Sequence, residues 1–440
     1  MRVPSTADRL RVLILADVCN PEHPSLPIVG YNYARALAEQ VDATVVTQVR
    51  NQADIDRVGL GQAKIAYLDT EWIASPLYKL AVALRGGTSK GWTIQMMMDY
   101  PSYLAFEWAA WQQFGPALKA GEFDLVHRIT PMSPTLASWM AHRCPVPFVV
   151  GPLNGNLPWS PLFTAELKRE REWLSKLRSA YKVLPYRRST YADTAAILAA
   201  FDHTIADLPD AARAKTINFP EVGIDPERFA LPQRSASDRM TILYAGRLVP
   251  YKLPEVVVQA MTSPILRQHR LIVVGDGPER PRLEQIIAEH NLSDCVQLVG
   301  QKSQAEVGQL MQQADIFAFP SIRELGAGVV VEAMACGLAN VVVDYGAPAT
   351  LIDSAWGVKV PMGRTDQLVE RYTAALEDLV RHPDRTRQLG LAAHKHAIRY
   401  YTWERKARKT VEIYNWVLGR QSEKPNFWQP EHDRSPMLTM

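Results

Sequence analysis

Residues 314–343, ADIFAFPSIRELGAGVVVEAMACGLANVVV, carry two carboxylates eight positions apart, Glu324 and Glu332, on either side of Gly326 and Gly328. The apolar run Ile316–Phe319, bounded by Asp315 and Pro320, reads as a buried strand. A loop holding Glu324 follows, then an apolar helix with Glu332 about a turn inside it. Gly337 ends that helix as a C-cap, and NVVV begins the next strand. A loop that feeds a helix N-terminus offers free backbone N–H groups and a favourable dipole to an anion. Carboxylates accept hydrogen bonds from hydroxyls. An anion site bracketed by two acids suits a phosphorylated sugar.

With EAMACG attached, this stretch resembles the Glu-seven-residues-Glu signature of the retaining glycosyltransferases of family GT4, which have the GT-B fold. The resemblance implies two Rossmann-like domains facing a cleft, with donor on the second and acceptor on the first. It implies that Glu324 contacts the donor sugar and Glu332 the nucleotide ribose. The amides of Gly326, Ala327, Gly328 and Val329 would hold the diphosphate. The chain departs from the family form in two places. Gly326-Ala327 stands for the usual Phe-Gly, and Ala339 for the usual Pro. Ala327 keeps its amide, but a glycine-only conformation there would conflict with its side chain.

The remaining site residues rest on the elements that position them. MTILYAGRLVPYKL is a strand, a Gly-Arg turn and the start of a helix near Pro254, and Arg247 and Lys252 project from that one loop. Matching cations in the relatives stabilise the departing diphosphate, so no metal or other cofactor is required. RLIVVGDGPE is a strand and a tight turn through Gly275 and Gly277. The resemblance places that turn on the nucleotide side, and the base beside Gln301 after the next strand. In the first half, FDLVH is a strand with His127 at its end. His127 is either a sugar contact, as the resemblance implies, or a structurally satisfied histidine. Gly30 opens a helix after strand one, Arg11–Ala16. It is either a phosphate-approach glycine or an ordinary helix-start residue. With no GxGxxG there, a nicotinamide dehydrogenase is disfavoured.

Other features read more plainly. SPTLASWMAH reads as a capped helix. Asp54-Ile55-Asp56 spells DxD, but in a polar segment it is a solvated acidic turn. Residues 72–114 are rich in Trp, Met and Tyr and read first as core. Residues 163–191 form a basic amphipathic stretch, either a solvated face or a contact for an anionic membrane. GIDPERF resembles the family's hinge phrase, with Val222 in place of the usual Asn.

At 440 residues two domains are expected: 1–230 for the acceptor, 231–400 for the nucleotide sugar, a crossing-back helix 401–420 and a tail 421–440 that is disordered or draped on the surface. A net charge of +3 gives no argument for nucleic acid as partner. Cys19, Cys144, Cys295 and Cys336 form no CxxC and read as reduced thiols. No run approaches the roughly 18 apolar residues of a membrane span, so a cytoplasmic protein is expected, with peripheral membrane contact through 163–191 as an option. The expected reaction moves a sugar from a UDP- or GDP-linked donor to a glycan, lipid or small-molecule acceptor. The alternatives are a sugar-nucleotide epimerase and a non-catalytic GT-B subunit supporting a partner transferase.

Overall fold

Continuous apolar runs dictate the architecture. β1 (Arg11–Ala16, RVLILA) is buried at every residue but the first, as a strand covered on both faces must be. The computed structural model describes residues 9–85, 92–163, 182, 184–232 and 239–429. Within them lie two parallel sheets. The first holds β1, β2 (Asp42–Gln48), β3 (Lys64–Leu68), β4 (Leu125–Thr130), β5 (Phe148–Leu153), β6 (Ala196–Ala199) and β7 (Thr216–Asn218), in the order β3-β2-β1-β4-β5-β6-β7. The second holds β8 (Thr241–Ala245), β9 (Arg270–Val274), β10 (Val296–Gly300), β11 (Ile316–Phe319), β12 (Ala339–Val343) and β13 (Gly357–Val360), in the order β10-β9-β8-β11-β12-β13. In each sheet the chain runs outward one way, returns to the middle and runs out the other way. The reversal falls between β1 and β4, and between β8 and β11. Open α/β sheets bind ligands in the crevice at such a point, beyond the strands' carboxyl ends.

One face of the first sheet packs Val12, Ile14 and Val45 against Tyr33, Ala34 and Leu37 of helix Leu26–Ala38. The other packs Leu13, Leu15 and Val46 against Tyr103 and Phe106 of helix Trp92–Lys119. The second sheet has its own core. The chain then returns to the first domain. The Ile224 N–H donates to the Tyr401 carbonyl at 2.9 Å, and the Trp403 N–H to the Ile224 carbonyl at 3.3 Å. This pairs the hinge with the crossing point. The expected crossing-back helix 401–420 is Trp403–Val417, set off from the preceding helix Pro383–Tyr401 by Thr402, whose hydroxyl accepts from Arg405 N. Ala407, Ile413 and Tyr414 then join the first domain's core.

Other expectations are revised. Residues 133–142 form turns rather than a helix. Buried Glu107 takes their donors first: Trp139 N at 2.6 Å, Met140 N at 3.0 Å and Ser138 Oγ at 2.5 Å. A local side-chain acceptor competes with the helical hydrogen-bond ladder. The DxD lies on the short helix Gln52–Val58; Asp54 accepts from Asn20 and Arg57, and Asp56 from Tyr67. The start of the tail packs down, with Phe427 buried against Phe219 at a centroid distance of 4.8 Å. None of the four cysteines is in a disulfide, as expected of reduced thiols. Most of the basic stretch 163–191 lies outside the described residues. Among the described residues no helix is long and apolar enough to cross a membrane.

Candidate active site

The loops after β8 and β11 meet at the second sheet's reversal, and their side chains meet with them. Lys252 Nζ lies 2.5 Å from Glu324 Oε1, with the two side chains 11% and 14% exposed. Ser321 Oγ donates to the same carboxylate oxygen at 2.8 Å. The Lys252 ammonium also lies over the Phe319 ring, 5.0 Å from its centroid. Arg247, on the same loop as Lys252, donates from Nη2 to the Tyr251 hydroxyl at 2.8 Å. Two cations and one carboxylate are thus held at the crevice by side chains from both loops.

The glycines of the β9 turn build this wall. Gly275 has φ +131° and Gly277 φ +153°, and a Cβ on either would collide with the carbonyl oxygen of Gly246 or Leu248 in the β8 loop. The Leu248 N–H donates to the Asp276 carbonyl at 2.9 Å, locking the two turns together. The Gly275 N–H reaches the Gly300 carbonyl at 2.8 Å. This puts Gln301, exposed, at the next strand end along the wall.

Helix Gly328–Ala335 starts from Ala327, which adopts the left-handed conformation, φ 53° and ψ 44°. The left-handed geometry that glycine favours is therefore present, carried by an alanine. The helix ends as expected: Gly337 has φ +72°, and the Leu338 N–H returns to the Ala333 carbonyl at 3.1 Å. Gly328 and Val329 form the helix's first turn. Glu332 sits apart from the Lys252–Glu324 pair. It is half-buried and lines a small cleft of about 40 Å³ with Ile28, Val29 and Asn32 of the first domain and Arg228 and Gln304 of the second. Burial pushes its carboxyl up to about 7, opposed by the Arg228 charge.

His127 is a correction. It lies in the middle of β4, paired in register with Ile14, and is fully buried. Both ring nitrogens are engaged: Nε2 with the Gly151 carbonyl at 2.8 Å and Nδ1 with the Tyr414 hydroxyl at 2.6 Å. A carbonyl only accepts, so Nε2 carries the proton and Tyr414 donates to Nδ1. Burial lowers the pKa to about 3, which keeps the ring neutral. The ring has no free edge for a sugar. Gly30 is also not where a helix start would put it. The helix begins four residues earlier, at Leu26, and a Cβ on Gly30 would strike the Val18 carbonyl. The close approach it permits is to protein backbone.

Several residues at the site were missed. Trp159, on the loop after β5, crosses to the second domain. Its ring meets Tyr251 edge-on at 6.4 Å, and the Arg323 guanidinium lies 4.8 Å from its centroid. The Tyr345 hydroxyl donates to the Pro158 carbonyl at 2.6 Å. Glu221, six residues before Glu227 in the hinge segment, is 6% exposed and accepts from Asn154 Nδ2. Burial pushes its carboxyl up to about 7, opposed by Lys406. Lys406 is buried too, its pKa lowered to about 7, and donates to the Pro220 carbonyl over the Phe219 ring. The unusual Gly326 was the one available sequence signal, since a glycine in place of a large side chain makes room for something else.

Residues 227–395 match the family described as Glycosyl transferases group 1. A D-inositol 3-phosphate glycosyltransferase of Saccharomonospora viridis is 28% identical over 231 residues, covering 48% of this chain and 51% of that protein. The chain thus spans about half the length of the curated relatives it matches. Two solved structures match almost throughout at low identity, and so speak for the fold. The sucrose-phosphate synthase of Thermosynechococcus elongatus has a TM-score of 0.64 at 18% identity, covering 94% of this chain and all of that one. Anabaena HepE in complex with UDP has a TM-score of 0.61 at 16% identity, covering 92% and 99%. Residues 227–395 are therefore similar to the Glycosyl transferases group 1 family, and the whole chain is folded as a GT-B pair of parallel-sheet domains.

Proposed function

We propose that this protein transfers a sugar from a nucleotide-sugar donor to a hydroxyl acceptor, with retention at the anomeric carbon. The observation that carries the reading is the Lys252–Glu324 pair at the second sheet's reversal point, beside the N-terminus of helix Gly328–Ala335. Arg247, Lys252 and the first-turn amides supply fixed positive charge where a diphosphate would depart. Such preorganised charge stabilises a leaving group without reorganising during the reaction. Protein groups then take the part a metal would otherwise play. Glu324 orients donor hydroxyls, and Glu332 takes the ribose hydroxyls from its separate cleft. The expected transition state is oxocarbenium-like. His127 takes no part. UDP is the first base to test, because HepE is a fold relative solved with UDP.

The test is a panel of UDP- and GDP-sugars scored for nucleotide release, with and without glycan and lipid extracts, and product configuration read by NMR. Acceptor-dependent release that disappears in Glu324→Gln supports the reading. Isomerisation of the nucleotide sugar without acceptor would replace it with an epimerase. Release unaffected by Glu324→Gln would remove the site from the chemistry.

A further inference from the structure

The face of Gly326 that a side chain would occupy is filled from the other domain. A Cβ built there would collide with Glu221 Oε1 and lie 3.3 Å from Val222 Cγ1. Glu221 comes from the segment after β7, and its partner Asn154 from the loop after β5. Both belong to the first domain's side of the seam; Glu221 faces the second domain's glycine loop, and Asn154 is joined to it through the Glu221 carboxylate. Their bond uses Glu221 Oε1 and Asn154 Nδ2. The other two polar atoms, Glu221 Oε2 and Asn154 Oδ1, are buried and have no hydrogen-bond partner among the described residues. Both are acceptors. A buried acceptor without a donor costs about 1–3 kcal/mol, and more when charged. Two such oxygens on side chains that already touch ask for a ligand that presents two donors.

We infer that Glu221 Oε2 and Asn154 Oδ1 form a binding site for two neighbouring hydroxyls of a sugar, closed against the Gly326 loop when the two domains meet. The inference rests on the transferase reading. Gly326 lies between Glu324 and the helix N-terminus, so a diol held on its face is next to both the hydroxyl-binding acid and the diphosphate cradle. The first domain thereby contributes to sugar recognition through the hinge. Glu221 fills the place where the family form has Phe, so the site belongs to this chain's own departure from the pattern.

The test uses the full chain and isothermal titration with UDP, UDP-glucose, UDP-N-acetylglucosamine and GDP-mannose. Glu221→Gln keeps the size of the side chain and the acceptor facing Asn154, but replaces Oε2 by an amide. If the diol belongs to the donor, affinity for the UDP-sugar falls at least about tenfold while affinity for UDP stays within about twofold. If it belongs to the acceptor, donor binding and donor hydrolysis are unchanged, and transfer to glycan or lipid extracts falls at least about tenfold. Either result supports the site, and a merely structural role would not separate UDP from UDP-sugar. Binding and transfer all within about twofold of wild type, with an ordered water on Oε2 in crystals grown with the UDP-sugar, would overturn it. If Glu221→Gln does not fold, Gly326→Ala replaces it, because its methyl displaces the carboxylate without changing its chemistry. The same losses are expected, and the same flat result overturns. Failure of the transferase reading looks different: wild type binds no nucleotide sugar and Lys252→Met changes nothing, and the diol site falls with it.

Discussion

Replacing Lys252 by Met separates the stability of the site from its chemistry. The substitution keeps an apolar stem over the Phe319 ring and removes the ammonium 2.5 Å from Glu324. Glu324 is then left with the Ser321 hydroxyl, 2.8 Å away, donating to that oxygen. Breaking a buried pair costs about 3–5 kcal/mol; with both side chains slightly exposed here, about 2–4 kcal/mol is expected. For a domain of this size each kcal/mol lowers Tm by about 2–4 °C, so a fall of about 4–16 °C follows. The loss in kcat should be about 10²–10³, the usual effect of removing one preorganised charge from a leaving-group site. Adding Glu324→Gln removes the stranded carboxylate. The double variant should regain most of the lost Tm and none of the kcat. The assays are thermal unfolding and nucleotide release with the donor that wild type turns over. The reasoning is refuted if Lys252→Met keeps kcat within about tenfold, or if the double variant recovers activity together with stability.

Four further outcomes follow from the same geometry. The neutral His127 has a folded pKa of about 3 against an ordinary 6.5, so the unfolded chain takes its proton first. Its contribution is intact above pH 6.5 and is lost at about 1.4 kcal/mol per pH unit toward pH 3; in acid titrations His127→Gln should lack this segment, while its kcat at neutral pH stays near wild type. Glu332 has the opposite sign, because its folded carboxyl holds a proton up to about 7; Glu332→Gln should gain about 1–2 kcal/mol above pH 7 and lose that gain below pH 4.5, seen in denaturant melts at the two pH values. Ala327→Gly relieves a left-handed alanine and should raise stability by about 0.5–1 kcal/mol, whereas Gly275→Ala meets the Gly246 carbonyl and should abolish UDP binding by calorimetry.

The limits of the sequence show at particular residues. β1 and β11 were legible to the residue, because a strand buried on both faces is an unbroken apolar run. The unit of strand, glycine loop and capped helix around Glu324 was legible because each part is a local signal. Residues 133–142 were not, since a carboxylate from helix Trp92–Lys119 claims their N–H groups. His127 failed for the same kind of reason. Its partner Tyr414 lies 287 residues further on, on a helix that returns to the first domain only after the second is built.

By itself, then, the sequence determined most local elements and the two-domain division, and it singled out Arg247, Lys252, Glu324 and Glu332 as candidates. Local propensity and apolar pattern act over a few residues, and those features are written at that range. Tertiary structure alone decided that Lys252 and Glu324 pair, that Glu332 opens into a separate cleft, and that Glu221 fills the face of Gly326. Each of these depends on packing between segments far apart in the chain, where burial makes an unmatched charge or polar atom costly enough to select one partner.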